Sequence, residues 1–119
     1  MINRSLFSHA IDVFKKILKC TDKDEDAVLC LKNFLKDYEA INEADIDALW
    51  IAALSLRKFH RALHFDATFS YNAGHAEECR YILNTVDFDA LLEELLNAAF
   101  AVSNKEEYER RRIEFCKDY

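Results

Sequence analysis

The residues with the most chemistry in this sequence are two pairs of side chains at matching intervals. His60 and His64 stand four apart, and His75 and Cys79 repeat the interval after a polar break. Residues four apart share one face of an α-helix, so each pair offers two metal-ligating atoms to the same side. If the two helices fold back as an antiparallel hairpin, His60, His64, His75 and Cys79 converge as a His₃Cys set, with Asp66 as an alternative oxygen ligand. A mixed nitrogen and sulfur set of that kind suits zinc. The plainer expectation is a chain with no cofactor. In that case the histidines at the wet end of a buried helix only hydrogen-bond, and Cys79 fills a slot in the core.

Arg57, six further residues and then His64 match the Arg-x(4–6)-His signature of the HEPN family of all-α ribonucleases, which this stretch resembles on those two residues. The resemblance implies a dimer with the paired Arg57 and His64 at its interface, cutting RNA without a metal. Lys58 stands where the family usually has a polar residue after the arginine, and so departs from the pattern. The formal charge of −6 also works against binding a polyanion.

Other catalytic patterns are absent. No glycine-rich turn surrounds a serine or cysteine, and a single glycine cannot build a phosphate-cradling loop. Glu77 with Glu78, and Glu93 with Glu94, are neighbours in sequence, and neighbours on a helix point about 100° apart, too far to share acid–base work. The Glu-x-x-His pattern of di-iron bundles does not occur. The run Thr21–Asp26 resembles the opening of an EF-hand calcium loop at Asp22, Asp24 and Asp26. Ala27 replaces the sharp-turn glycine and Asn33 the bidentate glutamate, so the run is read as an acidic helix start that suits the helix dipole.

Two charged surfaces follow. Asp37, Glu39, Glu43, Asp45 and Asp47 fall within eleven residues that contain no lysine or arginine. They span the turn between two helices, where they form either a solvated acidic cap or a docking patch for a protein partner with a basic surface. Arg110, Arg111 and Arg112 form a cationic run, but Glu106 and Glu107 precede the first two by four residues, the favourable order for pairing on a helix surface.

The elements that must position these residues are helices. One glycine and no proline in 119 residues leave few positions for β-turns, and the 51% hydrophobic content excludes disorder. The expected fold is all-α: a single domain over residues 1–119, with five to six helices arranged as successive αα-hairpins. At its centre is an apolar helix over about 43–64 that carries Trp50. The middle of that helix is apolar on almost every side, which predicts neighbours all round. Asn42 is placed as its N-cap, with Asp45 three residues on.

Helix one is expected from Asn3 to about Lys19 and helix two up to about Ala40. Residues 65–74 follow the central helix, with the loop expected at Asn72–Gly74; helix four runs from about His75 to Leu83, and Asp87 or Thr85 caps helix five. Ser103 with Glu106 makes a capping box for helix six. The last two helices resemble a tetratricopeptide unit, with Ala98 and Tyr108 near its small and aromatic packing positions, although that repeat's glycine and proline are missing. The basic residues Lys15, Lys16 and Lys19 on helix one are read as dipole complement rather than a membrane face.

No run reaches transmembrane length and no signal peptide is recognisable, so the expected location is cytoplasmic, with no membrane contact. Cys20, Cys30, Cys79 and Cys116 show no CxxC pairing and are expected to be reduced and mostly buried. Small size, acidity and the missing catalytic set point to a protein-binding domain. In its sharpest form this is an inhibitor, either immunity- or antitoxin-like or a phage-encoded antagonist, that covers its target's surface.

Overall fold

The computed structural model describes residues 2–19 and 25–117, which form helices and no strand. The helices are α1 (Arg4–Phe14), continued by a 3₁₀ turn (Lys15–Lys19), α2 (Asp26–Glu39), α3 (Ile46–Phe69), α4 (Ala73–Thr85), α5 (Phe88–Ala101) and α6 (Lys105–Lys117). The chain is therefore an all-α bundle organised around its longest helix. None of these helices is long and apolar enough to cross a membrane. Asp22 and Asp24 of the calcium-loop-like run lie outside the described residues, and Asp26 is the exposed first residue of α2.

α3 packs against α2, α4 and α5. Its inner face buries Leu49, Trp50, Leu56, Phe59 and Leu63, with Ala52, Ala53 and Ala62 letting neighbouring backbones come close. Phe14 joins four helices: its ring lies 4.9 Å from that of Phe59, 5.4 Å from Phe88 and 6.3 Å from Phe34. Such offset and edge-on aromatic contacts add about 0.5–1.5 kcal/mol each beyond the area they bury. Trp50 is covered by α6, with its ring 6.0 Å from Tyr108 and 5.9 Å from Phe115. α5 and α6 meet through Phe100 and Tyr108, whose rings are edge-on at 4.9 Å.

Several boundaries differ from the sequence expectation, each for a local reason. Asp45, not Asn42, caps α3: its carboxylate accepts from Asp47 N–H at 3.0 Å, while Asn42 accepts from Ala44 N–H in the turn just before. α3 also runs on past His64 to Phe69, because FDATF contains no residue that breaks a helix. The true turn is centred on Ser70 and Tyr71. Asn72 then caps α4 by accepting from His75 N–H at 3.1 Å, which places Gly74 inside the helix with no positive φ. Asp87, one of the two residues expected to do so, caps α5 through Ala90 N–H. Asn104 caps α6 through Glu107 N–H at 2.8 Å, and the Ser103 hydroxyl turns back to the Ala99 carbonyl instead.

Two further expectations need correction. α3 is not enclosed all round: Ile51 is 51% exposed and shares an open stripe with Lys58, Arg61, Phe65 and Phe69. Of the described cysteines only Cys79 is buried; Cys30 is half-buried and Cys116 exposed.

Candidate functional site

The C-terminal end of α3 holds a buried polar cluster. Asp66, His75 and Cys79 are all buried, and one ligand-type atom from each lies within 4.8 Å of the others. His75 Nε2 is 2.8 Å from Asp66 Oδ2 and 3.5 Å from Cys79 Sγ. Asp66 Oδ2 also accepts the Ala27 N–H at 2.8 Å, and Glu25 Oε2 lies 4.0 Å from His75 Nε2. The Ser70 hydroxyl donates to the other Glu25 oxygen at 2.6 Å, fixing that carboxylate over the cluster.

Local structure explains why these residues meet. Glu25, the N-cap of α2, makes no capping bond with its own side chain. The first N–H groups of a helix need acceptors, and the positive end of the helix dipole favours an anion. Asp66 meets that need from another helix, and it can do so only because α3 continues beyond His64. His75 lies one turn before Cys79 on α4, so the two side chains face α3 together.

His75 and Cys79 thus come together with Asp66, whereas His60 and His64 do not belong to this group. Positions 60 and 64 lie roughly 200–240° around the α3 axis from Asp66, on the opposite side of the helix. There the His60 ring stacks on Phe88 at 4.2 Å and lies 4.9 Å from that of His64. Burial pushes the His60 pKa down, the nearby His64 adds to the shift, and Asp89 opposes it. The hairpin assumption placed all four residues on one inner face, but the pitch of α3 separates them.

Arg57 is also buried. Its guanidinium donates to the Phe115 carbonyl and sits 4.1 Å above the Phe115 ring. Phe115 is in the last turn of α6, where carbonyls lack helical partners and a cation complements the dipole. Arg57 therefore closes the end of α6 from α3, much as Asp66 closes the start of α2. In this conformation it presents no guanidinium to solvent, while His64 is exposed two turns further along.

Most of the five acids near the start of α3 have structural tasks. Asp37 accepts from the Ser55 hydroxyl, and Glu43 Oε1 from Ile2 N–H at 2.6 Å. Asp45 is the cap, and Asp47 pairs with Arg111 at 2.7 Å. Glu39 stands exposed at the end of α2. Arg111 also meets Glu107 at 3.3 Å in the expected four-residue pairing, and Arg112 reaches Glu93 on α5 at 3.3 Å. Cys30 borders a polar groove of about 240 Å³ shared with Lys36, Asp37, Ser55 and Lys58. Burial raises the Cys30 thiol pKa, Asp26 and Asp66 add to the shift, and Lys58 opposes it, which disfavours the reactive thiolate.

The remaining feature is apolar. Phe65 and Phe69 are 53% and 64% exposed with rings 4.9 Å apart, and Tyr71 just beyond them is fully exposed. The helical interval between Phe65 and Phe69 was visible in the sequence, but their outward orientation depends on where α2 and α4 pack. No family model matches this chain, and comparisons with characterised proteins and with solved structures also return no match.

Proposed function

We propose that this chain is a protein-binding domain that acts by covering a surface of its partner, and in its sharpest form an inhibitor of that partner. The observation that carries this reading is the outward-facing aromatic ridge of Phe65, Phe69 and Tyr71. Aromatic rings bury large areas at little conformational cost and dominate many interfaces. Here two of them touch each other in water, at the end of a helix whose inner face is fully packed. The acidic balance of −6 adds long-range attraction to a basic partner, with Glu39 and Asp47 among the charges still facing solvent. Asp37, Glu43 and Asp45 are occupied internally, so they contribute field rather than direct contacts.

The experiment is capture and cross-linking of partners from the source cell by the intact chain, compared with the double variant Phe65→Ser/Phe69→Ser. The expected result is loss of a specific partner with the thermal melt unchanged, and faster association with that partner at low salt. An identical set of captured proteins from both forms would remove the ridge from the interface. Self-association of the chain, abolished by the same double variant, would replace the foreign partner with a second copy.

A further inference from the structure

We propose that Asp66, His75 and Cys79, completed by Glu25, form a binding site for one divalent transition-metal ion, zinc by preference. This inference is independent of the protein-binding reading. The end of α3 and the first turns of α4 bring one nitrogen, one sulfur and one carboxylate oxygen within 4.8 Å of one another, all three residues buried, and the N-cap of α2 adds Glu25, whose Oε2 lies 4.0 Å from His75 Nε2. That donor set matches zinc, whereas calcium and magnesium call for oxygen ligands only.

The distances fit a tetrahedral ion. Bonds of about 2.0–2.1 Å to nitrogen, 2.0–2.2 Å to oxygen and 2.3 Å to sulfur set nitrogen–sulfur separations near 3.6 Å and nitrogen–oxygen separations near 3.4 Å. His75 Nε2 and Cys79 Sγ are already 3.5 Å apart. The 2.8 Å contact between His75 Nε2 and Asp66 must open by about half an ångström, as it would when the ion enters between them and the imidazole carries its proton on Nδ1. Glu25 must close by a similar amount from 4.0 Å. Binding also displaces the Cys79 thiol proton, so one proton leaves as the ion enters, while the neutral imidazole of His75 carries its own on Nδ1.

The surroundings suit that role. Ala27 N–H holds Asp66 at the same Oδ2 that faces His75, and the Ser70 hydroxyl holds Glu25 by the oxygen that points away from it, the kind of outer support that orients metal ligands. The side chain of Glu25 is 14% exposed, which makes it the ligand through which an ion reaches the buried three. An ion here ties the start of α2, the end of α3 and the first turns of α4 together.

The test uses the whole chain made without a histidine tag, stripped with a chelator and titrated with Co²⁺ and then Zn²⁺. One equivalent of cobalt should give a thiolate-to-metal charge-transfer band that zinc removes, and zinc should raise the melting temperature. Cys79→Ser should abolish the band, His75→Ala should weaken uptake more than about tenfold, and Cys30→Ser and Cys116→Ser should change neither. The proposal fails if stripped wild-type protein takes up no stoichiometric metal, or if the band survives Cys79→Ser. It also fails if uptake depends on His64 and not on Cys79, which would assign the ion to His60 and His64 instead.

Discussion

At the N-terminal end of α3, acidic residues are dense and exposed in sequence, yet Asp45 caps the helix, Asp47 pairs with Arg111 and Glu43 holds the Ile2 amide. At its C-terminal end, a run that reads as a polar loop forms a helical end with two distinct faces. One face buries Asp66 against His75, Cys79 and the start of α2, and the other turns Phe65 and Phe69 outward. The ends differ in solvent access. Charges at the first end stay hydrated, so each contact there has a small effect, whereas the Asp66 cluster is dry and every polar partner counts.

The largest test of this contrast is Asp66→Ala with chelator present. It removes the acceptor for Ala27 N–H and one partner of His75 together, and a buried group left unsatisfied costs about 1–3 kcal/mol. Denaturant unfolding should show a loss of about 3 kcal/mol. A loss no larger than that of a surface change would mean the cluster is not dry.

At the acidic end, Asp45→Ala should cost about 1 kcal/mol through the lost cap. Asp47→Ala should cost under about 1 kcal/mol and lose even that in high salt. Equal effects at the two ends would mean that solvent access does not separate them.

On the side of α3 opposite Asp66, His60 protonates less readily in the folded chain than in the unfolded one, because burial lowers its pKa from the ordinary 6.5. The unfolded state therefore binds more protons as the pH drops, so stability should fall once the pH passes below about 6.5 and level off beneath the lowered folded value. Melts across that range should show the slope, and His60→Gln should flatten it. The smallest effect belongs to the ridge: Phe65→Ser/Phe69→Ser should shift stability by no more than about 0.5 kcal/mol per site. A larger loss would show these rings to be part of the core.

Much of the fold was legible without coordinates. The stripe Phe7, Ala10, Phe14 and Ile17, the heptad-like run Phe88, Leu91, Leu92 and Leu95, and Asp87 ahead of α5 all have local causes, namely periodicity and capping. The extent of α3 was misread because FDATFSYNAG combines the only glycine with small polar residues, a composition typical of loops. Its first five residues nevertheless carry no breaker, and Gly74 found a place inside α4. The choice of Asn104 over Ser103 as cap shows the same limit, since both residues can accept from a helix N–H.

The candidate site was half legible. His75 and Cys79 could be paired from their interval, because the pitch of a helix is a local property. Asp66 could be named beside them as an alternative oxygen ligand, but Glu25 could not, since it meets His75 only after α2 has docked on α3. Arg57 and Asp66 show the point most clearly. As residues in a list, a cation and an anion on one helix look like surface or catalytic groups. Here they are buried, because one closes the open carbonyl end of α6 and the other the open N–H end of α2. Sequence alone determined which stretches are helical and which faces are apolar, through backbone sterics and hydrophobic spacing. Tertiary packing decided which charges are dry, which aromatics face water and which donors share a point, because solvent exclusion depends on neighbours remote in the chain.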